Sequence, residues 1–399
     1  MSELQLETQN SKPKTLFVSA GDLSGDIHAA RVVRRILQRH PDWQVFALGG
    51  SHLKAAGARI IGDTRHLGVI GFTSAMAVLP RSLRLRRKAD RFLQARKVDA
   101  ALLCDWGGFN SRLLPELNRR GIPSLYYFPP RSWQKTGEGG LAIAKLATRI
   151  ATPFDWSAQR LKNAGANVEW VGHPLLEIVD ERAAQISRQT LREEIGVAGD
   201  QLLIAVLPGS RDSELKLLAP HLAGAMRLLD TKYPGQLRFV VAVPEGAAKR
   251  VRPHFPETPI YEGRTTQILL ASNGAMVKSG TVTLETAICN IPQIVVYDVS
   301  PIVHAQIRLT GLHKKVPFVA MPNIILGRGA VPELLGVKCR PVPIAEAMDV
   351  FIESSEARVA MQQEYSRVRE ALGADLPYTA TNRTVGMLEE MLAAQPAAS

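Results

Sequence analysis

The 399-residue sequence lacks several features that define large classes of protein. Its three cysteines lie far apart and form no C-x-x-C pair, which argues against a disulfide framework or a zinc site. No apolar run approaches the ~18 residues needed to cross a membrane. The opening sequence, MSELQLETQNSKPK, lacks the apolar core of a signal peptide. These absences predict a protein of the reducing cytoplasm.

Positive charge, by contrast, is in excess and unevenly spread. Lys and Arg number 49 against 37 Asp and Glu, which gives a formal net charge of +12. Residues 81–97 hold eight basic side chains and one acidic side chain, so this segment alone carries +7. An anionic partner is therefore expected. Nucleic acid is not expected to be that partner, because no nucleic-acid-binding motif or interleaved aromatic residues accompany the charge.

The same segment predicts an amphipathic helix whose charged face presents Arg84, Lys88 and Arg91. An apolar stretch just before this helix includes Val69, Ile70 and Phe72. An apolar patch beside a cationic helix is typical of a surface that binds anionic lipid. A solvated helix docked on a sheet is the alternative interpretation.

Short apolar runs alternate with helix-like stretches along most of the chain, which predicts parallel sheets covered by helices on both faces. The predicted strands of the first half are 15–20, 44–48, 99–104, 124–128 and 149–152. Those of the second half are 202–207, 238–243, 275–278 and 293–297. The predicted fold class is α/β, with two Rossmann-like domains. Their predicted bounds are 1–175 and 176–345, followed by C-terminal helices over 346–399.

Ligands of parallel sheets bind beyond the carboxyl ends of the strands, and two unusual loops follow predicted strands of the first half. The glycines of the loop 21–26 permit a tight turn before a helix N-terminus, which favours anions or hydroxyl-rich ligands. An ordinary glycine turn with Asp26 near the helix N-cap is equally compatible. Asp105 opens the second loop, where it can accept a proton from a substrate hydroxyl or cap the next helix.

Two loops of the second half are candidate nucleotide sites, of which the first suits a phosphate or a nucleotide base edge and the second a diphosphate. Pro208–Arg211 combines exposed backbone N–H groups with an arginine, and Ser279–Glu285 opens a helix whose N-terminus can hold a diphosphate. Glu285 can bind both hydroxyls of a ribose. The alternatives are a turn with a solvated arginine at 208–211 and a plain helix N-terminus with a favourable first-turn glutamate at 279–285. Together the four loops predict a two-domain nucleotide-sugar glycosyltransferase. The chain has no D-x-D motif, so backbone and arginine rather than a metal are expected to hold the diphosphate, and no cofactor is predicted.

Eight segments, several of which include the loops described above, then point to a family. They are A-G-D-L-S-G-D (20–26), G-V-I-G-F (68–72), F-N (109–110), V-G-H-P (171–174), L-P-G-S-R (207–211), S-G-T-V-T-L-E (279–285), V-P-F-V-A-M-P-N (316–323) and G-R…V-P-E-L-L (327–335). In this order and at this spacing, the segments resemble lipid-A-disaccharide synthase, a bacterial glycosyltransferase of the GT-B type. The resemblance covers roughly residues 15–395.

The resemblance implies two Rossmann-like domains with a cleft between them, and C-terminal helices that cross back to the first domain. It implies transfer of 2,3-diacylglucosamine from UDP-2,3-diacylglucosamine to 2,3-diacylglucosamine 1-phosphate. The products would be a lipid A disaccharide 1-phosphate and UDP, with inversion and without a metal. The implied partners are an acylated UDP-glucosamine, a phosphorylated glycolipid and the inner face of the bacterial inner membrane, to which the protein would attach peripherally.

The family's site residues can be assigned to the positions of this chain that match its motifs. On the donor side, the resemblance implies UDP contacts from Ser210, Arg211, Ser279, Gly280, Thr281, Glu285 and Asn323. On the acceptor side, it implies a lining by Gly21, Asp22, Ser24, Gly25, Asp26 and Asn110.

The chain departs from the family at the catalytic loop. The family pattern is D-x-P-D-F-N, in which the second Asp is the usual candidate for general base, and Gly108 occupies that position here. Asp105 or Asp22 is therefore predicted to act as the base. The alternatives are a different acceptor, loss of catalysis with retained UDP-sugar or lipid binding, and a UDP-sugar epimerase of the same architecture. Further departures fall on Pro129–Glu138 and Asp298.

Overall fold

The structure is a computed structural model that describes residues 13–64, 72–299 and 317–394. Side chains of residues 72–79 and 213 fall outside the description. The chain divides into two compact units. One comprises Met1–Pro174 together with Leu376–Ser399, and the other comprises Leu175–Asp375.

The first unit contains a parallel sheet with the strand order β3-β2-β1-β4-β5-β6-β7. Its strands are β1 (Thr15–Ala20), β2 (Gln44–Gly49), β3 (Arg59–Asp63), β4 (Ala100–Cys104), β5 (Ser124–Tyr127), β6 (Arg149–Thr152) and β7 (Val168–Trp170). The central strands are apolar along their whole length because helices cover both faces of the sheet. The covering helices are α1 (Leu23–Arg39), α2 (Ser51–Ala55), α3 (Phe72–Ala95), α4 (Gly107–Arg119) and α5 (Asp155–Asn163).

The second unit repeats this plan with the strand order β10-β9-β8-β11-β12-β13. The strands are β8 (Leu202–Leu207), β9 (Leu237–Val243), β10 (Ile260–Glu262), β11 (Gly274–Lys278), β12 (Gln293–Tyr297) and β13 (Glu333–Leu335). Its described helices are α6 (Leu175–Gln185), α7 (Arg188–Ile195), α8 (Asp212–Lys232), α9 (Ala248–Val251), α10 (Thr265–Ala271), α11 (Thr281–Ile288), α12 (Met321–Leu326), α13 (Pro341–Glu353) and α14 (Ser355–Ala371). The predicted fold class of two parallel α/β units is confirmed.

The last described helix, α15 (Ala380–Ala393), returns to the first unit. Leu388 and Met391 are buried in the same apolar cluster as Val33 of α1, and Arg383 forms an ion pair with Glu169. The two preceding helices belong to the second unit, where Tyr365 of α14 bonds Gln293.

The predicted division of the C-terminal part therefore needs correction. We predicted a separate helical segment over 346–399, but α13 and α14 pack on the second sheet. Only α15 crosses back among the described helices. The physical reason is that α13 buries Met348 against the glycine that opens β11, and α14 buries Met361 and Tyr365 beside β12.

Four strands were missed, and all four lie at the edges of their sheets: β3, β7, β10 and β13. Three of them have only three residues, and the residues are partly exposed. An edge strand has only one neighbouring strand and can stay partly exposed, so it needs no continuous apolar run. The hydrophobic pattern of the sequence therefore does not predict it.

In both sheets the strand order reverses at one point. The reversal falls between β1 and β4 in the first sheet and between β8 and β11 in the second. The loops after two such neighbouring strands diverge to opposite sides, which opens a crevice where ligands of this architecture bind. Within the described ranges, no helix combines the length and apolar character needed to cross a bilayer.

Candidate active site

The first reversal point brings two predicted catalytic carboxylates together. Ala20 pairs with Cys104 in the β1–β4 register, so the loops that carry Asp22 and Asp105 leave the sheet at the same level. Both side chains approach Gly25: a Cβ at that glycine would lie 3.2 Å from Asp22 Oδ1 and 3.6 Å from Asp105 Cβ. Two loops that are more than 80 residues apart in sequence therefore form one acidic site.

Asp105 occupies a strained turn between β4 and α4. Asp105 and Trp106 both have left-handed backbone conformations, with φ of 52° and 49°. Such conformations cost on the order of 1–3 kcal/mol for each non-glycine residue and persist only where neighbours enforce them. Here the carbonyl of Asp105 accepts hydrogen bonds from Asn110 Nδ2 at 2.9 Å and from the Tyr126 hydroxyl at 2.8 Å. Trp106 is the N-cap residue of α4, so the alternative that Asp105 caps this helix is wrong.

The indole of Trp106 fixes the other side of this turn. It stacks on Phe109 with the ring centroids 3.9 Å apart. It also lies against Gly21, where an added Cβ would be only 2.0 Å from Trp106 Cγ. Glycine is therefore required at position 21 for close packing between the two loops.

The surroundings of Asp105 change its acidity. Burial, followed by the negative charge of Asp22, raises the pKa of Asp105 from its ordinary value of 3.8 to about 6. A carboxyl group with a pKa just below neutrality is ionised at pH 7 and still basic enough to accept a proton in a reaction. This combination of position and pKa makes Asp105 the strongest base candidate among the described residues.

Three other predicted acceptor-side residues have structural roles. Asp22 caps α1 by accepting a hydrogen bond from the Gly25 N–H at 2.7 Å. Asp26 is buried and accepts from the N–H groups of Gly50 at 2.7 Å and His52 at 2.9 Å, so it anchors the start of α2. Asn110 is buried as well, and its Oδ1 accepts from the Ser19 hydroxyl at 2.6 Å. We therefore correct the prediction that Asp26 and Asn110 line the acceptor side.

Ser24 contacts the first of two neighbouring buried histidines, His28 and His173, which sequence reasoning missed. Its hydroxyl lies 3.2 Å from Nε2 of His28, whose ring stacks on Phe128 at 4.7 Å. Burial and the charge of Arg31 lower the pKa of His28 to about 3. Burial, followed by His28, lowers the pKa of His173 well below its usual range. Both rings are therefore neutral packing elements beneath the loop 21–26. The V-G-H-P segment at 171–174 contains His173 and could have drawn attention to it.

Gly108, at the family's general-base position, faces open space. Apart from its chain neighbours and the backbone of its own helix, a Cβ added there would meet no atom of the described residues within 4 Å. The position can therefore accept a side chain without a clash, and Asp105 stands three residues before it at the strand end.

The second reversal point brings the two predicted phosphate loops together. Arg211 is the N-cap residue of α8, and its guanidinium donates to Glu214 Oε1 at 3.2 Å. The Ser210 N–H donates to the same carboxylate at 3.4 Å. Glu214 also pairs with Lys278 Nζ at 2.9 Å. Sequence reasoning missed Lys278, although a cation directly before S-G-T was the available signal.

The S-G-T loop continues from β11 into α11. The Ser279 hydroxyl donates to the Val319 carbonyl at 2.8 Å and its N–H donates to Val296, so Ser279 fixes the loop internally. Gly280 has φ of 148° and is the N-cap residue of α11, and Thr281 is exposed at the first helical position. The first N–H groups of a helix have no intrahelical partner and are available to an anion.

Glu285 lies in the second turn of α11 and is mostly buried. Its carboxylate accepts a hydrogen bond from the Thr266 hydroxyl and lies 3.8 Å from Arg182 Nη1. Burial raises its pKa. These contacts hold the carboxylate in one orientation, which is what recognition of a ribose requires.

Asn323 is not available to a donor in this arrangement. It is buried, and its Oδ1 accepts from the N–H groups of Ala330 and Val331, each at 2.8 Å. Its Nδ2 donates to the Val331 carbonyl and to Glu333. We correct the prediction of a donor contact, because this side chain holds together the loop between α12 and β13.

The predicted amphipathic helix forms as part of α3. Leu85, Ala89 and Leu93 are buried, whereas Arg84, Lys88 and Arg91 are exposed on the opposite face. Of the predicted apolar residues, Val69 and Ile70 lie outside the described residues. Phe72 begins the helix, and its side chain is not described.

A family model described as "Lipid-A-disaccharide synthetase" matches residues 16–383 of this chain. The chain belongs to the lipid-A-disaccharide synthetase family. A relative from Neisseria meningitidis serogroup B, named lipid-A-disaccharide synthase, is 32% identical over 388 residues, which cover 96% of this chain and 99% of the relative. A relative of the same name from Myxococcus xanthus is 33% identical over 367 residues, with coverages of 91% and 94%.

Solved structures share the fold at low identity. A UDP-GlcNAc 2-epimerase from Neisseria meningitidis, bound to UDP-GlcNAc, has a TM-score of 0.66 and 13% identity over 94% of this chain and all of its own. MurG from Acinetobacter baumannii has a TM-score of 0.55 and 16% identity over 95% of this chain and all of its own. Likenesses at these identities show the fold alone, so they give the epimerase alternative no support.

The partly buried carboxylate of Asp105 is expected to reduce the stability of this family member. Because folding raises the pKa of Asp105 to about 6, ionising it costs the folded state about 2–3 kcal/mol above that pH. Asp105→Asn removes the charge and keeps a residue that tolerates the left-handed conformation. We expect the variant to be more stable than the wild type at pH 8. This increase in the free energy of unfolding should shrink as the pH falls through 6, where Asp105 of the folded protein becomes protonated. It should vanish near pH 4, the ordinary pKa of an aspartate.

Urea unfolding at pH 8, 6 and 4 measures this difference. Asp99→Asn, at the other end of β4, is the matched control. A variant that is no more stable than the wild type at pH 8 would contradict the raised pKa.

Proposed function

We propose that this protein transfers 2,3-diacylglucosamine from UDP-2,3-diacylglucosamine to a hydroxyl of 2,3-diacylglucosamine 1-phosphate, with Asp105 as the general base. Family membership makes it a hexosyltransferase of lipid A disaccharide synthesis. The single observation that carries the catalytic assignment is a partly buried carboxylate on a strained turn at the reversal point of the first sheet, with its pKa raised to about 6. This environment supplies the base that Gly108 cannot supply.

In the proposed step, an ionised Asp105 accepts the proton of the acceptor hydroxyl. The hydroxyl oxygen forms a bond to the anomeric carbon of the donor. The bond from that carbon to the diphosphate oxygen breaks, and its electron pair leaves with UDP. Attack on the face opposite to UDP inverts the anomeric configuration. Asp22 contributes by raising the pKa of Asp105 through its charge.

The second unit supplies the groups for the nucleotide. We propose that Arg211 and the first N–H groups of α11 contact the diphosphate and that Glu285 binds the ribose hydroxyls. Their contribution grows as negative charge develops on the leaving oxygen. The proposed reaction uses these groups in place of a metal or cofactor.

We further propose that the exposed basic face of α3 binds an anionic membrane surface. Arg84, Lys88 and Arg91 lie on one side of the helix, and the buried apolar residues of the opposite side fix its orientation on the unit. Acylated substrates partition into lipid, so attachment at the inner face of the inner membrane would bring the enzyme to them.

The base assignment predicts a specific loss and rescue. Asp105→Asn should lower kcat by roughly 10²–10⁴, the usual contribution of a general base. The kcat/KM of the wild type should fall below pH 6, because the base becomes protonated. Adding Gly108→Asp to Asp105→Asn should raise kcat at least tenfold above that of Asp105→Asn alone, because the new side chain has open space. Mass spectrometry of the disaccharide product measures the rate.

Gly108→Asn in the same background is the matched control, because it fills the same space without a proton acceptor. Full kcat in Asp105→Asn would show that Asp105 is not the base, and Asp22→Asn would then be assayed. Absence of disaccharide from the wild type with these two substrates would exclude the proposed reaction itself.

The ribose assignment predicts a binding defect. Glu285→Ala removes hydrogen bonds to a charged group, each worth about 1.5–3 kcal/mol, and should raise the KM for the UDP-sugar roughly 10- to 100-fold. Steady-state kinetics with varied donor and saturating acceptor measures this change. Glu257→Ala, an exposed position of the same unit, should leave the KM as it is. An unchanged donor KM in Glu285→Ala would exclude the ribose contact.

The membrane assignment predicts salt-sensitive binding to vesicles. Reversing Arg84, Lys88 and Arg91 to Glu should abolish sedimentation with vesicles of phosphatidylglycerol and phosphatidylethanolamine. Wild-type binding should weaken as salt screens the attraction. Reversal of the exposed Lys54, Lys145 and Lys162 changes the net charge equally and should preserve most of the binding. Equal loss in both triple variants would indicate a general charge effect.

A further inference from the structure

Lys278 lies where the two phosphate loops of the second unit begin. It is the last residue of β11, and its neighbour Val277 pairs with Leu207 at the end of β8. The loop 279–280 therefore follows this lysine directly, and the loop 208–211 leaves the neighbouring strand at the same level. Its side chain is mostly buried, with 18% of its surface exposed.

One carboxylate orients the ammonium group. Lys278 Nζ lies 2.9 Å from Glu214 Oε1, and the same carboxylate accepts from Arg211 at 3.2 Å. Burial acts to raise the pKa of Glu214, but Lys278 and then Arg211 outweigh it, so the pKa is lowered on balance. Glu214 is thus ionised and holds two cations beside the loops.

The ammonium faces a position that carries no side chain. A Cβ built at Gly280 would lie 3.5 Å from Lys278 Nζ, and the φ of 148° at Gly280 is one that other residues rarely adopt. The cation therefore lies directly beside the backbone that opens α11. A lysine has three N–H donors, and the contact with Glu214 occupies one of them.

The charges at this point match a diphosphate. Lys278 and Arg211 contribute two positive charges and Glu214 one negative charge, which leaves a formal +1 at the loops. The diphosphate of a nucleotide sugar carries two negative charges and gains a third when the sugar leaves. Helix N–H groups carry only partial charge, so a full cation is the stronger partner for the charge that develops.

We propose that Lys278 is a further catalytic residue, whose ammonium contacts the diphosphate of the donor and stabilises UDP as it leaves. This inference rests on the proposed function. As the bond between the anomeric carbon and the diphosphate oxygen breaks, the electron pair passes to that oxygen, and Lys278 donates a hydrogen bond to the phosphate without giving up its proton. Glu214 holds the lysine beside the loops before the donor binds.

A purely structural ion pair between β11 and α8 is the competing explanation. The two explanations differ in which ligand they affect. A contact to the diphosphate matters for UDP and not for uridine, which has the same base and ribose but no phosphate. Structural damage to the loops would weaken the binding of both.

The test therefore compares UDP and uridine binding to the full-length protein by calorimetry or NMR titration. We expect Lys278→Met to weaken UDP binding at least tenfold and to change uridine binding less than twofold. It should also lower kcat roughly 100-fold, as loss of one donor to a developing oxyanion does. Lys278→Arg keeps the charge and should recover most of the UDP affinity. Lys249→Met, at an exposed position of the same unit, is the matched control.

Glu214→Gln separates the two explanations further. It breaks the ion pair but leaves the lysine, so it should weaken UDP binding less than Lys278→Met does. Equal losses for UDP and uridine in Lys278→Met, or unchanged UDP affinity, would overturn the inference while leaving the proposed function intact. A wild-type protein that binds neither ligand would overturn both.

Discussion

The reversal of strand order is the constraint on which both units depend. A parallel sheet sends all its strands toward one edge, and the chain can open a crevice at that edge only where neighbouring strands continue to opposite sides. The first sheet does this between β1 and β4, and the second between β8 and β11. The side chains to which we assign catalysis or diphosphate contact lie at or just beyond one of these four strand ends, and Glu285 follows in the helix that one of them opens.

The two crevices differ in chemistry because different residues end the strands. In the first unit, Asp22 and Asp105 place two negative charges close together in a partly buried site, which makes the carboxylate of Asp105 more basic. In the second unit, Lys278 and Arg211 gather positive charge around a single carboxylate. One unit is suited to removing a proton and the other to holding an anion. These are the two requirements of sugar transfer from a nucleotide.

The site of Asp105 keeps an energetically unfavourable conformation because neighbouring residues hold it in place. Two successive left-handed residues and a partly buried carboxylate with a raised pKa are each unfavourable. Asn110 and Tyr126 hold the carbonyl of Asp105, while the glycine at position 21 lets the Trp106 ring close over the turn. The family resemblance marked Asn110 as a substrate contact, but its buried amide supports the residue that we assign to catalysis. Gly21 gives Trp106 the space to pack against the loop, and its predicted place on the acceptor side stays a prediction.

Much of the architecture could be predicted from the sequence. Continuous apolar runs such as LLIAVL identified the central strands, because a strand covered on both faces must be apolar throughout. The short edge strands were not predicted, because they are partly exposed and therefore contain no such run. The same apolar runs placed Asp105 at a strand end and placed the loops 208–211 and 279–285 directly after strands, as the structure shows.

The sequence by itself determined the fold class, the family, the amphipathic helix and the loops that carry chemistry, because these depend on local periodicity and residue type. Only the tertiary structure decided where each side chain points. It turned Asp26 and Asn323 toward backbone N–H groups inside their own units, and it brought Lys278 to Glu214 from 64 residues away. It also placed Asp22 close enough to alter the pKa of Asp105. Burial and long-range charge arise from contacts between distant segments, so no local pattern in the sequence encodes them.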